Sequence, residues 1–582
     1  PFSACSSSAL LPHDDNGWIF GVSGEALDEA ISLRVPALAP PPSKPFAKKD
    51  RRSVVFWGIL DIKYDTSLPV LDRLKILEAG EGKTSKFSGD GKEIRERFDA
   101  MYKLEEVGES AMHDVIASDK KFLHDSVEDA GYGHLLPGQA CFPREYSPGL
   151  AGDVAAQLGL SGTDTVVLKL CNKTRAAGVV VASVQELDAR LRELLTPPGD
   201  WEAWFLHTTR ALRQQNSTGL QPGQFEENKR HWWSNESPVF LAERRCTSLQ
   251  SMKSGKAYDG TLRVGFALRP RGGRLDVEWL GTYWKLPKRA VCPNSKAKLQ
   301  ESIISAARTS GTALVDPVHC SEVFAALGDL LPRLYSLEEP SWVALEQRYG
   351  AQPELAAYYV ARFGASKQQR ANSVRAYLGQ ASNMIAGLPE GRARSCTLSF
   401  VERWRSVVDA REGGQDVDKR SEVHLSKSLE LMPANANTWY IKGVKTWQKG
   451  LASEATRFFH RSLALDPDFK APYVNLSAVF LRLGDHVKAA DISDAGLVRH
   501  PGTPQLQYNL AMATLGLACE QERRRGGWHI ATELRSRALG LLVAARDGCH
   551  SDYLWTEQDK GIVFMLEARD RRLDLARCIV KD

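Results

Sequence analysis

The sequence predicts a multidomain chain: an N-terminal α/β (α+β) body followed by a C-terminal all-α solenoid. Two observations carry this. Apolar runs of strand length alternate with helical spacing up to about position 310, the pattern of mixed sheet-and-helix layers. From about 318 the strand signals stop, and prolines then recur every 34 residues, at Pro433, Pro467 and Pro501. At ~100–200 residues per domain, the 582 residues imply several domains.

Composition excludes several classes. Hydrophobic residues at 43% and charged residues at 25% are ordinary for a globular chain and leave no room for wholesale disorder or a fibrous repeat. A net charge of +5 is too small for a dedicated nucleic-acid binder, so no nucleic-acid partner is expected. No stretch approaches the ~18 apolar residues of a membrane span. The ten cysteines are scattered with no Cys-x-x-Cys pair, which predicts neither a zinc knuckle nor a dithiol motif. Isolated thiols suit a reducing, cytoplasmic setting. The chain begins with Pro1, so a truncated N-terminus and a lost targeting signal are expected.

Residues 1–50 are expected to be a disordered tail, Pro-rich at 36–45. Ser53–Leu60 is the first strand-length run. Leu74–Leu77 is a second and leads into a Gly-rich loop through Gly91. Helical spacing follows to about 130. Thr165–Leu170 is the next strand, then a polar loop, Cys171-Asn-Lys-Thr-Arg-Ala-Ala-Gly178, and a third run, Val179–Ala182. Ser183 with Glu186 three positions later is a capping-box pattern and predicts a helix to Leu195. Pro238–Arg245 is a strand candidate. Leu262–Leu268 and Leu275–Leu280 flank Gly272-Gly273 and predict a hairpin.

The 34-residue register extends beyond the prolines. Trp439 aligns with Tyr473, Gly450 with Gly484, Ala455 with Ala489, and Asn475 with Asn509. Glycine suits the turn inside each helix pair, alanine the close helix contact, and proline the end of the unit. This pattern resembles the tetratricopeptide repeat (TPR). Two repeats are clear, 434–467 and 468–501. A third starts at 502 and degrades after Glu520, and a partial helical pair precedes them. The resemblance implies a curved TPR solenoid whose concave face takes a protein or peptide partner.

Two phosphate-site patterns lie in the body. Gly80-Glu-Gly-Lys-Thr84 follows a strand as a P-loop does, but Leu77 stands where the first glycine of that loop belongs. The other pattern rests on order along the chain. Val166-Val-Leu-Lys169, the loop with Gly178 and the strand after it resemble the nucleotide lid of ATP-grasp enzymes. Val239-Phe-Leu-Ala-Glu243 resembles that family's inter-domain strand, and Tyr258–Val264 the strand carrying its phosphate-contacting arginine. Tyr283-Trp-Lys-Leu-Pro287 follows. The resemblance covers about 53–335.

It implies an ATP-dependent carboxylate–amine ligase working through an acyl phosphate, with ATP and Mg²⁺ as cofactors and a carboxylate substrate. Arg263 and Lys285 would be the catalytic cations. Lys169, Lys173, Arg175, Gly178 and Glu243 would bind the nucleotide. The family's Glu-x-Asn metal pair is missing from the strands, so Asp276 and Glu278, two apart on one strand, or Asp316 would hold the metal. Without that chemistry, the chain would be a TPR scaffold carrying a degenerate ATP-grasp-like domain. His231-Trp-Trp233 would line a substrate pocket or pack a loop. No Gly-x-Ser-x-Gly, His-Arg-Asp or Asp-Phe-Gly motif supports a serine hydrolase or a protein kinase.

The domain expectations are therefore a tail at 1–50, a substrate-side domain at 51–160 and an ATP-grasp-like nucleotide domain at 161–335. A helical connector at 336–396, TPR-like repeats at 397–520 and terminal helices at 521–582 complete them.

Overall fold

A computed structural model describes residues 53–81, 106–107, 110–173, 176–214, 224–291, 311–366, 371–412, 415–523 and 528–548. The N-terminal tail, most of the Gly-rich loop and the loop residue Arg175 lie outside them. The chain divides into two compact units. One comprises 44–201 with 222–435, here the body. The other draws on 202–221 and 436–582, here the helical unit.

Two larger sheets frame the body, with two short two-stranded pairs besides, Ser53–Val54 with Glu106–Val107 and Ser251–Lys253 with Lys256–Tyr258. The strands of the larger sheets in chain order are β1 (Phe56–Tyr64), β2 (Leu74–Glu81), β3 (Gln139–Pro143), β4 (Thr165–Leu170), β5 (Val180–Ser183), β6 (Val239–Arg244), β7 (Thr261–Arg271), β8 (Arg274–Lys285) and β9 (Thr312–Ala313). The five-stranded sheet runs β9-β8-β7-β1-β2, and the four-stranded sheet β3-β6-β4-β5. Their pairings are antiparallel throughout. Both sheets take strands from either side of position 160, so the expected boundary there does not separate them.

Alternation along each strand sorts the faces. In the five-stranded sheet Leu60, Ile62, Leu262, Val264, Phe266 and Leu268 point into an apolar core. That core is completed by the helices Ala111–Ser118 and Leu330–Leu334, and by the helices from Trp342 onward. The same alternation sends Asp61, Lys63, Arg263 and Lys285 to the opposite face. In the four-stranded sheet Val166, Leu168, Leu170, Phe240 and Ala242 pack under the helix Leu187–Leu195, which leaves Lys169 and Glu243 on the other side.

Several local expectations change. The second strand runs through Gly80 to Glu81, so the start of the P-loop-like stretch is strand, not loop. Ser183 makes no capping hydrogen bond; a short 3₁₀ turn, Val184–Glu186, precedes the helix instead. The hairpin is longer than predicted, and Gly272 and Gly273 both take positive φ (57° and 80°), as a tight two-residue turn requires. His231-Trp-Trp233 lies on the helix Gln224–Ser234 and not in a loop. Beyond the sheets the body continues in helices, among them Pro353–Ser366, Ala371–Ile385, Arg392–Glu412 and Gln415–Leu431.

The helical unit contains consecutive pairs: Ala436–Gln448 with Ala452–Leu465, Lys470–Arg482 with His486–Arg499, and Pro504–Glu522 with Trp528–Gly548. Gly450 and Gly484 turn the first two pairs with φ of 80° and 71°, a conformation that side chains resist. Ala455, Ala489, Phe459 and Tyr473 are fully buried between helices. The helix Trp201–Gln214, all but its first residue, belongs to this unit although its sequence interrupts the body. Phe205 meets Trp439 edge-on at 5.9 Å, and the Arg461 guanidinium stacks on both rings and pairs with Glu202 at 2.6 Å.

Candidate functional site

The strand register assembles the charged face of the five-stranded sheet. Asp61 lies opposite Arg263 on one side and Glu78 on the other, and Arg263 lies opposite Tyr283. Directly opposed residues share a face. Glu78, Asp61, Arg263 and Tyr283 therefore form one row across four strands. Arg263 grips Asp61 with both arms, Nε to Oδ1 at 2.6 Å and Nη2 to Oδ2 at 2.8 Å. Lys285 Nζ donates to Asp61 Oδ2 at 3.3 Å. Two positions along β1, Lys63 donates to Asp259 Oδ1 at 2.7 Å and to the Gly260 carbonyl at 2.9 Å. Arg245 reaches the other oxygen of Asp259 at 3.2 Å.

Except for Arg245 and Glu78 these groups are buried, and burial competes with pairing in setting their protonation. Burial would raise the Asp61 carboxyl, but Arg263 and Lys285 outweigh it and hold that carboxyl well below the usual range. Burial pulls the Lys63 and Lys285 ammonium groups down, opposed by Asp259 and Asp61 respectively.

A second cluster lies on the four-stranded sheet. Glu243 accepts from Lys169 Nζ and, at 3.0 Å, from Gln139 Nε2. His124, on the helix Lys120–Asp129, places Nε2 4.0 Å from Glu243. Burial pushes His124 down to about 4, so it is neutral at physiological pH. The same helix begins with Lys120, buried, whose Nζ donates to the Lys173 carbonyl and stands 3.9 Å from Glu78. Lys120 thus links the row on the five-stranded sheet to the loop that leaves β4.

Of the sequence-predicted residues, the fold gathers Arg263 with Lys285, and Lys169 with Glu243. Lys173 joins through its carbonyl. Gly178 serves the same loop in another way. It has φ of 73°, a Cβ there would stand 2.6 Å from Leu170 Cδ1, and its carbonyl accepts from Trp232 Nε1 at 2.6 Å. Trp232 is therefore a core anchor for the loop. Arg175 lies outside the described residues.

The three expected metal ligands do not converge. Asp276 and Glu278 sit on the exposed end of the hairpin, pairing with Arg271 at 3.4 Å and Arg269 at 2.5 Å. Asp316 caps the helix Pro317–Gly328 by accepting from Val318 N at 2.9 Å. Trp284 pairs with Ala313. At ~3.3 Å per strand residue, Asp276 and Glu278 lie roughly 20–26 Å along β8 from the strand that leads into Asp316. These residues do not fit a shared Mg²⁺ ion, and no step is assigned to a metal through them.

Residues the sequence reading missed are Asp61, Lys63, Lys120 and Asp259. One clue was available. Charges at alternate positions inside an otherwise apolar strand, Ile59-Leu60-Asp61-Ile62-Lys63, mark a second buried face that is polar. Taken together, Lys63, Lys120, Lys169, Arg245, Arg263 and Lys285 stand against Asp61, Glu78, Glu243 and Asp259. That is six cations against four carboxylates, with only Arg245 and Glu78 appreciably exposed. Buried charge is costly without compensation, so a surplus of cations makes this region suited to an anion.

The helical unit offers a different surface. Asn475 Nδ2 donates to Tyr440 OH at 2.9 Å, and Asn509 Nδ2 donates to Ser477 Oγ at 2.7 Å. These asparagines, one period apart, are engaged in joining neighbouring helix pairs.

Fold and repeat together define a chain that contains a sheet-built body and a helical-repeat module. No family model matches this chain. A stretch of 102 residues, 17% of the chain, is 38% identical to the tetratricopeptide repeat-containing protein trd-1 of Caenorhabditis elegans. The match covers 13% of that protein's length. It supports a TPR region in this chain. Among the described residues no helix is long and apolar enough to cross a membrane.

Proposed function

We propose that the chain is a TPR protein-binding module joined to an ATP-grasp-like body that binds ATP. The helical unit would hold a protein segment on the concave face of a solenoid spanning 434–522. The likeness to a TPR-containing protein and the 34-residue spacing of Pro433, Pro467 and Pro501 support this half. The observation that carries the other half is the buried cation surplus. A triphosphate would supply the missing negative charge, with Lys169 and Lys120 beside the loop and Arg263 and Lys285 on the row of the five-stranded sheet that Lys120 reaches through Glu78.

Ligase chemistry is the second reading. Arg263 and Lys285 would neutralise a transferring phosphoryl group, and a protein-bound carboxylate would be the substrate. The dispersal of Asp276, Glu278 and Asp316 favours binding without turnover, the scaffold form of the proposal.

Calorimetric titration of the full chain with ATP, with and without Mg²⁺, tests the body. Saturable binding that Lys169→Ala weakens at least about tenfold, the scale of one charge-assisted hydrogen bond, is expected. Absence of heat at millimolar ATP would sink this half. Release of ADP and phosphate that depends on an added carboxylate and amine would move the reading to the ligase.

A further inference from the structure

The cation Lys120 is held from behind by a network that starts outside the sheets. Tyr358, Tyr359 and Arg362 share one face of the helix Pro353–Ser366. Arg362 Nη1 donates to Asp119 Oδ2 at 2.7 Å, and its Nη2 donates to Ser118 Oγ at 2.7 Å. Tyr359 OH donates to Asp119 Oδ1 at 3.0 Å. That same oxygen caps the helix Lys120–Asp129 by accepting from Phe122 N at 3.1 Å. The Lys120 backbone N–H is fixed in turn on the Cys171 carbonyl at 2.8 Å.

Tyr358 extends the network to the loop after β4. Its hydroxyl accepts from Arg362 Nη1 at 3.2 Å and from Asn172 Nδ2 at 3.0 Å. Asn172 Oδ1 in turn accepts from Asn235 Nδ2. One helix therefore reaches both the residue before Lys120 and the residue before Lys173, whose carbonyl Lys120 holds.

From this we infer that Arg362 and Tyr358 are positioning residues: the helix Pro353–Ser366 sets Lys120 and Asn172 in place for phosphate binding. The inference rests on the proposal that the body binds ATP. The physical reason lies in Asp119, whose carboxylate is fully buried. Deprived of Arg362, it would lose its ion pair, and the ammonium of Lys120, the next residue along the chain, would be the nearest replacement in sequence. Pairing there would draw the Lys120 ammonium away from the site and loosen the helix cap.

A double-mutant cycle on ATP affinity in the full chain tests this. Lys120→Gln, Arg362→Gln, their combination and Tyr358→Phe are compared with wild type. Each single change at 120 or 362 is expected to weaken ATP binding about tenfold or more. The double variant should bind within about twofold of Lys120→Gln alone, because Arg362 acts through Lys120. Tyr358→Phe removes one hydroxyl from an otherwise intact ring, so it remains informative should Arg362→Gln fail to fold, and it should weaken binding severalfold. Wild-type affinity in Tyr358→Phe and Arg362→Gln, with lowered thermal stability, would reduce the network to packing and overturn the inference alone. Losses that multiply in the double variant would overturn it equally. A wild-type chain that does not bind ATP would overturn the nucleotide proposal, and this inference with it.

Discussion

Replacing Asp61 by asparagine separates the charge of that side chain from its shape. Asp61 accepts from Arg263 at 2.6 and 2.8 Å and from Lys285 at 3.3 Å, and all three side chains are buried. Three charge-assisted bonds at ~1.5–3 kcal/mol each would set an upper limit near ~5–9 kcal/mol. They share one carboxylate and are not additive. Breaking a buried ion pair by removing one partner typically costs about 3–5 kcal/mol, because the remaining charge is stranded. Asp61→Asn strands two cations, so a loss of about 3–5 kcal/mol is expected. Urea unfolding followed by tryptophan fluorescence reads it, since Trp57 and Trp284 lie on β1 and β8. Asp276→Asn is the control: its partner Arg271 is exposed, and the change should cost under ~1 kcal/mol. If Asp61→Asn matched the control, the charge row would not be a buried, mutually dependent cluster.

Three more outcomes follow from the geometry. His124 is held down at about 4 by burial, so on acidification the unfolded chain takes up its proton first. Stability should therefore fall as pH drops from about 6.5 toward 4, by up to ~3 kcal/mol from this group, and His124→Gln should flatten that slope in urea titrations at pH 7, 6 and 5. Burial would raise the Glu402 carboxyl, but hydrogen bonds from His424 and Lys427 outweigh it and hold it down at about 2, so it stabilises above pH 4.5 and loses that contribution as pH falls toward 2; Glu402→Gln should flatten the fall in stability between pH 4.5 and 3 in urea titrations. Gly178→Ala adds a clash with Leu170 to an unfavourable φ and should cost about 1–3 kcal/mol beyond the ~1 kcal/mol expected of Gly484→Ala, where a Cβ meets nothing within 4 Å; equal costs by thermal unfolding would remove the close-packing argument for the loop.

What the sequence made legible was local. The Gly272-Gly273 hairpin and the 34-residue period each depend on residues within one turn or one repeat, and both have clear counterparts in the structure. Lys169 and Glu243 were recognisable as charges inside strands. Their pairing required the β4–β6 register, set by segments more than 70 residues apart. Asp61 was missed because its partner Arg263 is 202 positions away. Lys120 cannot be told from Lys121 by local pattern; only the helix cap at Asp119 directs it toward the Lys173 carbonyl. Asp276 and Glu278 misled for the converse reason. Their alternation with Leu275 and Val277 marks a shared face, and the length of the hairpin, invisible in the pattern, carries that face into solvent.

Hydrogen exchange of the full chain with and without ATP tests the central claim most directly. Slower exchange is expected in 120–124, 165–173, 239–244 and 261–285, and unchanged exchange in 436–548, where a protein ligand would act instead. Unchanged exchange across those strands at saturating ATP, or protection confined to the helical repeats, would contradict it.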